Sequence, residues 1–127
     1  MPGQGIPPHV DTHSPFEEVF ATLSLKSGAT MHFKRAEPDE HGNEVVKDLY
    51  LKPRSFVVFS GEARYNWLHS ISQRKVDKVN FGTDSTQDPA PLSQLLKFRH
   101  RRISLTFRKV KNDGLPCQCK WPLLCDS

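Results

Sequence analysis

Long apolar runs are missing from this chain of 127 residues: none approaches the ~18 consecutive apolar positions that a membrane-spanning helix requires. The opening stretch, Met1 to Pro8, has neither a basic segment nor an apolar core, so it does not read as an export signal. These two absences lead us to expect an intracellular protein without membrane association, cytoplasmic with the nucleus left open. Cysteine is scarce, and its three residues all fall between Cys117 and Cys125. An odd number crowded into one short tail is not how a disulfide framework is laid out. Internal repeats, low-complexity tracts and long amphipathic helices are lacking as well.

What is present points to one small folded domain. The chain is polar, with 36% hydrophobic and 25% charged residues, yet 8 Phe, 2 Trp and 2 Tyr supply aromatic anchors that a disordered segment would not carry. A net charge of +4 permits a nucleic-acid partner without requiring one.

The apolar pattern is that of strands. Ala21 to Leu25 and Thr30 to Phe33 alternate on either side of Ser27-Gly28, which predicts a hairpin. Arg35 to Glu44 is polar and turn-rich, and Val45 to Leu51 is extended again. Ser55 to Ser60 is a continuous apolar run, suited to a strand buried on both faces and ended by Gly61. His69 to Ser72 is extended, and Asn80 to Ser93, rich in Gly, Pro, Asp and Ser, is expected to be a surface loop. In the last strand Ile103, Leu105 and Phe107 alternate with Arg102, Ser104, Thr106 and Arg108, so its second face is polar and needs a polar occupant.

Four groupings could carry chemistry. In an extended His9-Val10-Asp11 the imidazole and carboxylate project to one side, and a second His from elsewhere would complete a 2-His-1-carboxylate metal triad. Asp11-Thr12-His13 is an equally good pair, so spacing does not say which imidazole joins Asp11. Arg102 and Arg108 stand roughly 20 Å apart at ~3.3 Å per residue. Two guanidinium arms of roughly 6 to 7 Å, directed at each other, would leave room for a five-carbon diacid, with Ser104 and Thr106 as hydroxyl donors between them. Cys117, Cys119 and Cys125 with one imidazole from His13, His32, His41 or His100 would make a Cys₃His zinc site. A disulfide with one spare thiol, or three unrelated thiols, are the alternatives. Finally, Arg99-His100-Arg101-Arg102 and Arg108-Lys109-Val110-Lys111 are basic runs of the kind that track phosphates, although such runs are more often solvated surface.

Three ordered motifs carry a resemblance: Gly5-Ile6-Pro7-Pro8-His9-Val10-Asp11-Thr12-His13-Ser14, Gly61-Glu62-Ala63-Arg64-Tyr65-Asn66-Trp67-Leu68-His69, and Arg102-Ile103-Ser104-Leu105-Thr106-Phe107-Arg108. Together they resemble the AlkB family of Fe(II)/2-oxoglutarate dioxygenases. The His-x-Asp-Thr-His-Ser segment and the cysteine tail are most similar to the AlkB homologue eight branch, which hydroxylates a modified uridine at the tRNA wobble position. The resemblance implies a mainly β fold, a double-stranded β-helix of jelly-roll type, with a polar interior for the cofactor. It implies that His9, Asp11 and His69 hold Fe(II), and that His13 joins Cys117, Cys119 and Cys125 on Zn(II). Arg102 would meet the distal carboxylate of 2-oxoglutarate, aided by Ser104 and Thr106, while Arg108 lies near the metal end, within reach of Asp11.

It further implies a division into an oxygenase core over residues 1–111 and a zinc-binding tail over 112–127. The implied reaction is O₂-dependent hydroxylation of methoxycarbonylmethyl-uridine in a tRNA anticodon loop, with association to a tRNA methyltransferase domain or subunit. The alternatives are oxidative demethylation of N-alkylated DNA or RNA bases, or an inactive, zinc-stabilised RNA-binding fragment. An Asn-x-Tyr element and a nucleotide-recognising lid that the family carries before the first motif have no counterpart here. The expectation is therefore an N-terminally incomplete core that is weakly active or inactive by itself.

Overall fold

The computed structural model describes residues 1–81 and 93–127. Nine strands and one short helix occur among them: β1 (Ile6–His9), β2 (Phe16–Leu25), β3 (Ala29–Arg35), β4 (Val46–Leu51), β5 (Ser55–Phe59), α1 (Gly61–Tyr65), β6 (Trp67–Ile71), β7 (Val76–Phe81), β8 (Ser93–Phe98) and β9 (Ile103–Val110). A single 3₁₀ turn, Pro122–Leu124, lies in the cysteine tail. The strands form a four-stranded sheet in the order β1-β6-β3-β4, a three-stranded sheet in the order β5-β2-β9, and a β7-β8 hairpin. All pairings are antiparallel. This is the mainly β, jelly-roll architecture of a double-stranded β-helix.

The core is contributed by both larger sheets. Phe20, Ala29, Met31, Leu51, Phe59 and Ile71 are buried together, with Phe33 and Val57 packed against them. Phe20 and Phe59 face each other across the β2–β5 ladder with their rings stacked at 4.3 Å. Stacked aromatic rings of this kind contribute to the core beyond the area they bury, alongside the aliphatic Met31, Leu51 and Ile71.

Several expectations from the alternation pattern are corrected. The segments on either side of Ser27-Gly28 do not form a hairpin, because β2 and β3 belong to different sheets. Both edges of β2 are taken by β5 and β9, and both edges of β3 by β4 and β6, so the turn is a corner between sheets. Lys26 adopts φ 69° there, and the Ser27 N–H closes a tight turn onto the Leu25 carbonyl at 3.0 Å.

Nor is β5 buried on both faces: Phe56 and Val58 are 59% and 56% exposed. They share the outer face of the three-stranded sheet with Leu105 and Phe107, which lie opposite Leu23 and Ala21 in register. Gly61 does end this strand, but with φ 53° it also turns the chain into α1, which alternation did not reveal. The β6 strand starts earlier than expected, at Trp67. Of the expected loop from Asn80 to Ser93, the two ends lie on β7 and β8, and residues 82–92 lie outside the described residues.

On β9 the polar alternation has a structural meaning. Ser104 and Thr106 are paired with Ser24 and Thr22, and Arg108 with Phe20, so the polar face shares its side of the sheet with the core. Among the described residues, β2 is the sole hydrogen-bonded neighbour of β9.

Candidate metal centres and cofactor face

The first ligand set is built by strand register. His9 ends β1 and stands directly opposite His69 on β6, with ring centroids 4.2 Å apart. Asp11 follows two residues later, and its Oδ1 lies 3.6 Å from Nε2 of His9 and 3.6 Å from Nε2 of His69. The three groups offer one atom each within 4.8 Å of one another, the separation of ligands around a single ion.

The electrostatics suit metal ligation. Nδ1 of His9 donates to the Pro7 carbonyl at 2.9 Å, which leaves Nε2 with its lone pair toward Asp11. Burial, and then the neighbouring His9, push the His69 pKa down to about 4, so this imidazole is neutral at physiological pH, the form that binds metal. Asp11 is buried, and its second oxygen, Oδ2, is paired with Nε of Arg108. One carboxylate oxygen is thereby held by a guanidinium, and the other is turned to the imidazoles.

The inward polar stripe of β9 lies beside this set. Arg102 donates from Nη2 to Ser24 Oγ at 2.8 Å and to Ser104 Oγ at 3.5 Å, while its Nε is buried without a partner, as is Oγ1 of Thr22. Unmet donors on a half-buried guanidinium, with hydroxyls of Ser104 and Thr106 on the same face, fit a carboxylate ligand. The two arginines do not form the symmetrical clamp that their spacing suggests. Arg108 is occupied by Asp11, whereas Arg102 is tied to no carboxylate among the described residues.

The second ligand set lies on the other side of residue 12. His13, Cys117, Cys119 and Cys125 bring one imidazole nitrogen and three sulfurs within 4.8 Å of one another. Nδ1 of His13 is 3.5 Å from Cys119 Sγ, and no disulfide links the thiols. A Cys₃His set of this compactness fits a tetrahedral zinc ion. Burial, and then the Arg64 charge, lower the His13 pKa, which favours the neutral ring that binds metal. Burial raises the Cys119 thiol to about 11, whereas the backbone N–H of Ser127 lowers Cys125.

Asp126 ties the tail to the segment that carries His13. Its Oδ1 accepts the N–H groups of His13 and Ser14, both at 2.9 Å, and its Oδ2 accepts the Ser14 hydroxyl. The other histidines weighed as a fourth ligand lie elsewhere: His32 is paired with Asp48 and Arg74, and His41 and His100 are exposed.

Four residues of the basic runs are engaged within the chain. Arg99 is buried and holds Asp77 with two hydrogen bonds of 2.6 and 2.8 Å, Arg102 and Arg108 face inward, and Lys109 pairs with Glu17 at 3.1 Å. Two important side chains escape a reading of motifs alone. Arg64, only 1% exposed, grips the backbone between the two ligand sets, and Asp77, 0% exposed, joins Arg74 and Arg99. Their burial rests on partners distant in the chain, the carbonyls of residues 11 and 12 for Arg64 and the guanidinium of Arg99 for Asp77, with Arg74 as a second, nearby partner of Asp77.

No helix among the described residues is long and apolar enough to cross a membrane. A family model described as the 2OG-Fe(II) oxygenase superfamily matches residues 1–108. Among curated proteins, the chain is 39% identical over 137 residues to the Arabidopsis thaliana "Alkylated DNA repair protein ALKBH8 homolog", covering 98% of this chain and 36% of that protein. It is 43% identical over 129 residues to the Xenopus tropicalis "tRNA (carboxymethyluridine(34)-5-O)-methyltransferase alkbh8", covering 99% of this chain and 19% of that protein. It is also 35% identical over 119 residues to the mimivirus "Uncharacterized protein L905", with 90% of this chain and 49% of that protein covered. The chain thus spans half or less of the length of these relatives. Extending over most of its residues and all three motifs, the similarity places the chain in the 2OG-Fe(II) oxygenase superfamily.

Proposed function

We propose that residues 1–111 form an Fe(II)- and 2-oxoglutarate-dependent oxygenase core, that residues 112–127 form a zinc-binding tail packed on it, and that the substrate is methoxycarbonylmethyl-uridine at the wobble position of a tRNA. The observation that carries this reading is the meeting of His9, Asp11 and His69 around one point, with Arg108 paired to the buried Asp11. His9 Nε2, Asp11 Oδ1 and His69 Nε2 would hold iron and leave three coordination positions for the 2-oxo acid and O₂. When bound, iron and 2-oxoglutarate supply an O₂-dependent oxidation that converts the 2-oxo acid to succinate and CO₂ and hydroxylates a C–H bond of the substrate.

The chain's own residues prepare that chemistry. Arg108 holds Asp11 so that Oδ1 is the free ligand oxygen, and the buried, uncharged ring of His69 competes poorly for protons. Arg102, with Ser104 and Thr106, would receive the far carboxylate of 2-oxoglutarate. The name of the Xenopus relative, which refers to uridine 34 of tRNA, supports an anticodon-loop substrate and an association with a tRNA methyltransferase domain. An unpaired anticodon base can enter such a site without opening a duplex. Cytoplasmic action fits a tRNA partner.

A second reading is favoured by the name of the Arabidopsis relative: oxidative removal of an alkyl group from a DNA or RNA base. Incubation of the chain with Fe(II), 2-oxoglutarate and O₂, in parallel with tRNA and with N-alkylated oligonucleotides, separates the two by mass spectrometry. The expected result is a slow gain of one oxygen atom on the wobble uridine, in keeping with weak activity of this chain alone, with one succinate formed per event and both lost in His69→Ala. Dealkylation of the oligonucleotide with unaltered tRNA would establish the second reading. RNA binding that survives His69→Ala, without iron-dependent succinate in either arm, would leave a non-enzymatic RNA-binding role.

A further inference from the structure

The two ligand sets share one stretch of backbone. Asp11 belongs to the first and His13 to the second, with Thr12 alone between them. That stretch is gripped from two directions. On one side Arg64 of α1 donates from Nη1 to the Asp11 carbonyl at 2.7 Å and from Nη2 to the Thr12 carbonyl at 2.9 Å. On the other, Asp126 of the cysteine tail accepts the N–H groups of His13 and Ser14 at 2.9 Å each.

Arg64 is an unusual residue for such a place. It is 1% exposed and, among the described residues, forms no salt bridge and leaves its Nε without a hydrogen-bond partner, while its guanidinium lies over the Tyr65 ring at 4.7 Å and the Phe20 ring at 5.6 Å. A buried cation without a counter-charge is costly, and the polar contacts this one makes are to the carbonyls of residues 11 and 12. The adjoining Tyr65 meets the His13 ring edge-on at 4.9 Å and stacks on Trp121, two residues past Cys119, at 5.7 Å. The helix, the tail and the shared backbone therefore form one packed unit.

The Asp126 bonds exist only while the tail is folded back, and closure of the thiolate cluster is what folds a short polar tail. We propose that the Asp11–Ser14 backbone, clamped by Arg64 and Asp126, couples the two metal centres: filling the Cys₃His site pre-orders the Asp11 carboxylate and tightens metal binding by His9, Asp11 and His69. Arg64 is the positioning residue in this coupling. By linkage, a metal at the first site tightens zinc at the second by the same factor. This inference rests on the proposed reading that both clusters bind metal.

The test uses the full chain and Mn(II) as the probe of the His9–Asp11–His69 site. Its preference for oxygen and nitrogen donors keeps it from the thiolate set, and its free concentration is read by electron paramagnetic resonance. Mn(II) is titrated into zinc-loaded and zinc-free protein, and into zinc-loaded Arg64→Lys, Asp126→Asn and Leu51→Val. The last is a core destabilisation away from the shared backbone.

The expected result is a Kd for Mn(II) roughly tenfold lower with zinc than without, within the range of measured couplings between sites. Arg64→Lys and Asp126→Asn should keep one zinc yet weaken Mn(II) more than fivefold, while Leu51→Val leaves the Kd unchanged. Zinc affinity, measured by chelator competition, should rise by the same factor when Mn(II) is bound. Equal Mn(II) affinity with and without zinc, or in Arg64→Lys and the parent, would overturn the coupling and leave the oxygenase reading standing. Absence of Mn(II) binding by the zinc-loaded parent would overturn both.

Discussion

Asp77 offers a quantitative test of what holds the β7–β8 hairpin to the rest of the fold. Its carboxylate is 0% exposed and accepts from Nε and Nη2 of Arg99 at 2.6 and 2.8 Å and from Nε of Arg74 at 3.0 Å. Arg99 also donates to the Ser72 carbonyl at 2.6 Å, and Arg74 meets His32 Nε2 at 3.2 Å, so the network joins the hairpin to β6 and β3. Asp77→Asn keeps the shape but removes the negative charge, leaving the buried Arg99 without its counter-charge. Breaking a buried pair from one side costs about 3 to 5 kcal/mol. With an unfolding entropy of roughly 2.1 cal/mol/K per residue, a chain of this size should lose about 11 to 19 °C in Tm.

The pH dependence fixes the sign. Burial alone would raise the Asp77 pKa, but Arg99 and Arg74 hold it below its ordinary 3.8. The unfolded chain therefore takes up a proton at higher pH than the folded one, and the carboxylate's contribution, full at neutral pH, fades as pH falls below about 4 toward the lower folded pKa. Circular dichroism melts of parent and variant from pH 3 to pH 8 should show a gap that is constant down to about pH 5 and narrows below about pH 4. A gap below about 4 °C at pH 7, which is near 1 kcal/mol, would refute the view that this network is a buried, mutually dependent ion cluster.

Three further outcomes follow from the same structure. Arg108→Lys replaces a guanidinium that pairs with Asp11 by a shorter-reaching point charge, and should weaken Mn(II) binding and 2-oxoglutarate use severalfold in equilibrium titrations. His13→Ala should abolish stoichiometric zinc in elemental analysis while one Mn(II) still binds, more weakly; retention of one zinc would remove His13 from the Cys₃His set. Phe59→Ala deletes a 2% exposed ring stacked on Phe20 and should cost about 3 to 5 kcal/mol in urea denaturation, with the slope m unchanged.

Local features of the sequence carried much of this. The two-residue step from His9 to Asp11, the crowding of Cys117, Cys119 and Cys125, and the alternation of β9 are properties of neighbours in the chain, and each survives into the structure as a shared side or a cluster. What could not be read locally depends on partners far apart. The Ser27-Gly28 corner looks like a hairpin because alternation reports which residues share a face, and says nothing about which strand lies alongside. Phe56 and Val58 looked buried because apolar composition does not reveal that the outer face of the sheet is open. Arg64 and Asp77 are charged residues in polar surroundings of sequence, and their burial follows from carbonyls 52 and 53 positions away and from a guanidinium 22 positions away. The choice between His9 and His13 as the partner of Asp11 is decided by the β1–β6 register, which sets His9 against His69.

The single residue between Asp11 and His13 also determines where the gene can change length. Arg64 holds the Asp11 and Thr12 carbonyls while Asp126 holds the His13 and Ser14 N–H groups, so a codon lost or gained at Thr12 would put Asp11 or His13 out of step with its own cluster. The polar excursion between β3 and β4, looped out around Asp39 and its bonds to His41 and Asn43, carries no such penalty and should accept insertions freely.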